Sequence, residues 1–108
     1  MRCMTSTTDQ RLAAAAKIDD LTRSLKTHAE ADPDSHRALS ELVEECESLA
    51  RAVAAFHLEG IRFRIFNVDR LLTRAGDGAP AQAHELLQDA RRHLEAAGFH
   101  TRSHQAPG

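Results

Sequence analysis

Apolar residues recur along this chain at helical spacing, in three stretches divided by two breaker clusters. The first stripe runs Ala14, Ile18, Leu21 and Leu25, with His28 or Ala29 next. Alternating steps of four and three place these residues on one narrow helical face. Thr8 or Asp9 can cap its start. Pro33 ends it, because the residue before a proline is pushed out of the helical region. Asp32-Pro33-Asp34-Ser35 then restarts the chain, with Asp34 or Ser35 as the next N-cap.

The second stretch is the longest. Leu39, Leu42, Cys46, Leu49, Val53, Phe56 and Gly60 alternate by three and four, and Phe63 and Asn67 continue the register. From Leu58 a second stripe begins: Leu58, Ile61, Ile65, Val68 and Leu72. Nine of the 24 Val, Ile, Leu, Met and Phe residues lie between Phe56 and Leu72, which marks this stretch as the centre of the core. Ala75-Gly76-Asp77-Gly78-Ala79-Pro80 is the second breaker. Beyond it, Ala83, Leu86, Leu87, Ala90, Leu94 and Ala97 form the last stripe, with Gly98 as a C-cap candidate.

Gly60 decides the architecture. A helix over about 35–74 would be ~60 Å long, against ~35 Å across for a compact chain of this size. Such a helix needs a partner along its length. A break at Gly60 would instead give four shorter helices able to fold alone. Glu59-Gly60-Ile61 holds no proline, asparagine, aspartate or second glycine. A lone glycine costs a helix only about 1 kcal/mol. The pattern therefore predicts a continuous central helix, straight or kinked.

Charge adds to this picture. Asp34 to Glu59 carries six acids and two arginines, while Gly60 to Ala75 carries four arginines and one aspartate. Acid first and base last suits the helix dipole. It also makes two copies complementary when antiparallel, with Gly60 near the two-fold axis. The expected fold is all-α: a helical bundle with a long central helix (about 35–74) and shorter flanking helices (about 9–31 and 81–97), completed by dimerisation. Residues 1–8 and 99–108 read as a flexible N-terminus and tail around a single domain, 9–98.

Composition narrows the function classes. The 108 residues hold 19 alanines, no Trp and no Tyr, which favours helix and disfavours a β-sandwich. The net charge of -2 supplies no global field for nucleic acid or an acidic membrane. No apolar run approaches the ~20 residues that span a bilayer, and Met1 to Gln10 lacks the apolar core of a secretory signal. Two cysteines without a partner pattern fit a reducing cytoplasm.

Ile61-Arg62-Phe63-Arg64-Ile65 alternates apolar and basic residues, the period of a strand. With a strand over 61–66 followed by helices over 67–75 and 81–97, this part of the chain resembles a ribbon-helix-helix DNA-binding module. The resemblance implies a dimer that places Arg62 and Arg64 in the major groove, where arginine reads guanine edges. A helix accounts for the same residues, with Leu58, Ile61, Ile65, Val68 and Leu72 inward and Arg62 and Arg70 outward.

Cys46 and His57 are eleven residues apart, on nearly one helical face but ~16 Å apart along the axis. One chain cannot place both on a metal ion. An antiparallel partner could, with Glu45 or Glu59 nearby. The simpler reading makes Cys46 a small core residue and His57 a seam histidine. His57-Leu58-Glu59-Gly60 departs from the His-x-x-Lys-Gly of histidine phosphotransfer domains: its glycine comes one residue early, after a glutamate that would repel a phosphoryl group. His93, His100 and His104 could gather a metal ion at the tail. Asn67 and Arg70 are polar residues on an apolar seam, the kind that sets register and partner choice. Glu45 or Glu41 of a second chain would answer Arg70.

The expected function is a non-enzymatic helical interaction or adaptor protein acting as an antiparallel homodimer, with Phe56, Gly60, Phe63, Asn67 and Arg70 at the interface. The alternatives are a ribbon-helix-helix-like DNA-binding dimer through Arg62 and Arg64, and a metal-binding bundle through Cys46 and His57. No cofactor is expected. The expected partners are a second copy or another helical protein, without a membrane, in the cytoplasm.

Overall fold

The computed structural model describes residues 7–99. It contains four helices: α1 (Thr7–Ala31), α2 (His36–Ala54), α3 (Leu58–Ala75) and α4 (Ala83–Ala96). Short 3-10 turns cover Pro33–Ser35 and Gly76–Gly78, and no strand occurs among the described residues. None of the helices is long and apolar enough to cross a membrane. The expected flexible ends fall largely outside the described residues, though Thr7 and Thr8 already belong to α1.

The outer helices follow their stripes. Ala14, Ile18, Leu21, Leu25 and Ala29 are buried on α1, and Ala83, Leu87, Ala90 and Leu94 on α4. Asp32 accepts hydrogen bonds from the Asp34 amide (3.2 Å) and the Ser35 hydroxyl (2.9 Å), which shapes the first turn. Gly98, at φ 99°, ends α4: its amide bonds to Glu95 O, and the Phe99 amide bonds to Leu94 O at 2.9 Å. This pair of bonds back into the last turn is the Schellman arrangement, which needs a left-handed residue just past the helix.

The central helix departs from expectation. It is two helices, and the break lies at Ala55, Phe56 and His57 rather than at Gly60. The hydrogen bonds repeat those at Gly98. The Phe56 amide bonds to Val53 O (3.2 Å) and the His57 amide to Ala52 O (3.0 Å). The left-handed position is held by Phe56, at φ 57°. A side chain there costs about 1–2 kcal/mol, which glycine would avoid. His57 then caps α3, its ring Nδ1 accepting the Gly60 amide at 2.9 Å. The helix restarts in a new register, and burial passes from Leu49 and Val53 to Ile61, Ile65, Val68 and Leu72. Burial of that second stripe in one chain compensates the strained turn.

The four helices run up and down. On α1 against α4, His93 meets Gln10 at 2.7 Å, Lys17 meets Asp89 at 3.8 Å, and Gln82 donates to Ser24 at 3.1 Å. Lys26 and Glu47 (3.3 Å) link α1 to α2, and Asp69 and His84 (3.7 Å) link α3 to α4. The closest pairs are α1 with α4, α1 with α2 and α2 with α3, while α3 and α4 approach less closely. Alanines at the buried positions of α1 and α4 permit that close approach.

Candidate functional site

The change of register at Phe56 leaves one apolar stripe of α3 outside the core. Phe63 and Phe66 are 56% and 53% exposed, and Phe56 in the preceding turn is 57% exposed. Three of the four phenylalanines thus stand largely in solvent. Glu59, Phe63, Phe66 and Arg70 follow at steps of four, three and four, so they share one face of α3. The stripe is acidic where α3 begins and basic where it ends. Glu59 sits 3.6 Å from Arg62 with its side chain 79% exposed. Arg70 is exposed and has no ion-pair partner among the described residues.

The expected interface residues divide. Phe63 and Arg70 lie on this outer face. Phe56 is exposed on one side, but the Arg11 guanidinium of α1 covers its ring, 4.1 Å from the centroid. Gly60 makes its close approach within the chain: a Cβ there would lie 2.6 Å from His57 Nδ1 and 3.4 Å from Ala52 Cβ. The glycine makes room for the cap. Asn67 turns toward α2, its amide donating to Glu45 Oε1 at 3.4 Å. Glu45 therefore serves Arg64 and Asn67 of its own chain. Arg64 Nη1 donates to both Glu45 oxygens at 3.1 Å.

Arg62 and Arg64 sit on a helix, so the strand behind the ribbon-helix-helix resemblance is absent. Residues 61–66 belong to α3. The alternation fails as a strand because Ile61 and Ile65, one helical turn apart, are both buried in the core while Phe63 is turned out. The two arginines are half-buried and engaged, Arg62 with Glu59 and Arg64 with Glu45.

Cys46 and His57 are kept apart. Cys46 is fully buried on α2 among residues of its own chain. Burial pushes its thiol from 9.0 up to about 12, a contact with the Thr22 hydroxyl opposes that rise, and the charges of Glu45 and Glu47 reinforce it. A thiol so enclosed and protonated is a poor metal ligand. His57 is exposed beyond the end of α2, and its Nδ1 is occupied by the cap. No group of three histidine, cysteine or carboxylate side chains able to hold a metal occurs among the described residues. Cys3, His100 and His104 lie outside the described residues.

Beside Phe63, the end of α2 and the start of α3 frame an open groove of about 560 Å³, where Ser48, Arg51 and Arg64 face Ala52, Ala55 and Gly60. The Arg51 guanidinium donates to the Ser48 hydroxyl at 3.0 Å. Glu59 and Phe63 of the stripe also line this groove, so its two arginines face one acid and an apolar ring.

Phe66, and Glu59 in any role beyond that of a carboxylate near a metal, are the residues of this stripe that sequence reasoning missed. Their signal was the mirror order acid, phenylalanine, phenylalanine, base, which is meaningful only once the inward face of α3 is known. Comparisons with protein-family models, with curated proteins and with solved structures gave no match.

Proposed function

We propose that this chain is a helical interaction module that associates with a second copy through the outer face of α3, in antiparallel orientation. The observation that carries the reading is the stripe Glu59, Phe63, Phe66, Arg70. About a two-fold axis between Arg64 and Ile65, Phe63 meets Phe66 of the second copy and Glu59 meets its Arg70. The same contacts repeat on the other side of the axis, as a closed two-fold pair requires. Apolar residues at the centre with opposite charges at the rim is the usual anatomy of a protein interface. The axis is thus displaced from Gly60, whose close approach is already used by His57.

Size-exclusion chromatography with light scattering tests this across micromolar concentrations. Wild-type protein is expected to associate, and Phe63→Ser/Phe66→Ser protein to elute as a folded monomer whose melting temperature does not change with protein concentration. Wild-type protein that stays monomeric at tens of micromolar would sink the reading. Glu59→Arg and Arg70→Glu should each weaken association, and the two together should restore it, because the reversed pair is again complementary.

A further inference from the structure

We propose that α2 and α3 can join into one continuous helix, and that two copies in this state exchange their α3–α4 halves. The observation behind it is a conflict between sequence and fold. The heptad-like seam Leu39, Leu42, Cys46, Leu49, Val53, Phe56, Gly60 passes without interruption through the turn that breaks it. The hinge, Ala55-Phe56-His57, contains no glycine, proline, asparagine or aspartate. Nothing in its composition opposes a helix. Its left-handed position is held by a phenylalanine, the arrangement in which a short connection is under strain. Short strained hinges favour exchange of identical elements between copies.

The contacts of α3 survive the exchange. Within one chain, acidic α2 lies against basic α3 through Glu45, Arg64 and Asn67. In the exchanged dimer the same three side chains meet across copies, and the buried stripe Ile61, Ile65, Val68 and Leu72 fills the same place in the other copy's core. What changes is the hinge. Phe56 leaves the left-handed region and joins the seam between Val53 and Gly60, where the two long helices cross. His57 gives up its cap as the Gly60 amide returns to a helical bond. The surface used is distinct from the α3 stripe, so this exchange and the association proposed above stand or fall separately.

A charge-reversal pair tests the exchange, with Phe63→Ser/Phe66→Ser in all chains to silence the stripe. Glu45→Arg protein sets two arginines against each other within a chain, and Arg64→Glu protein sets two glutamates. Only an exchanged heterodimer restores an opposite pair in both halves at once. After the two are unfolded and refolded together at high concentration, native mass spectrometry should find the heterodimer in about tenfold excess over either homodimer. A second arm keeps Glu45 and Arg64. There Gly60→Ala, which crowds His57 off its cap, should raise the refolded dimer fraction several-fold, and Phe56→Gly should lower it. A mixture without heterodimer excess overturns the proposal, and so does Gly60→Ala protein that refolds wholly as monomer.

Discussion

Two helix ends in this chain close with the same hydrogen bonds and different residues. At Gly98 the left-handed position is held by the residue that suits it, and the end of α4 was legible in the sequence. At Phe56 it is not, and the end of α2 was missed. The sequence signal for this motif is a glycine or asparagine just past the helix, and here the nearest glycine lies four residues further on. Gly60 lies inside α3 and does not break it. Its role is to leave room for the histidine that restarts the chain. Phe56→Gly is therefore expected to stabilise the monomer by roughly 0.5–1 kcal/mol, after loss of the contact with Arg11. Urea denaturation at low protein concentration would measure it. Gly60→Ala would gain about 1 kcal/mol in an ordinary helix. Here the methyl displaces the cap, which costs about as much, so the monomer should show no gain in melting temperature.

Among the elements, α1 and α4 are readable because each carries one stripe, and each buries it. Helix α3 carries two, and spacing alone does not say which turns inward. The choice depends on where α2 stops, since the turn resets the rotation of everything after it. With a continuous helix, Phe56, Gly60, Phe63 and Asn67 would stay in register with the buried residues of α2. With the turn at Phe56, Ile61 and Ile65 take the core, and the phenylalanines are turned out. The opposite charges of the two halves were legible, and their pairing within one chain was not: antiparallel halves of one hairpin and antiparallel copies of one helix satisfy the same pattern. The Glu45–Arg64 pair has side chains 22% and 35% exposed, so solvent screens it. A double-mutant cycle with alanine at both positions should return about 0.5–1 kcal/mol of coupling.

For the whole molecule, the scarcity of large residues is met by close packing of α1 on α4. Ala14 on α1 and Ala83 and Ala90 on α4 are fully buried. Ala90→Leu should overfill that contact and destabilise the fold by about 1–3 kcal/mol. The buried thiol of Cys46 gives the fold a pH dependence whose sign follows from its raised value. The folded chain holds the proton more tightly than the unfolded one. The contribution is therefore complete below pH 9.0 and is lost as pH rises from there toward about 12. Over that range the stability of wild-type protein should fall more steeply than that of Cys46→Ala protein. The same enclosure makes the sulfur a clock. In a Cys3→Ser background Cys46 is the sole thiol of the chain. A labelling reagent reaches it only when α1 lifts from α2, so the rate of labelling under native conditions counts how often the bundle opens.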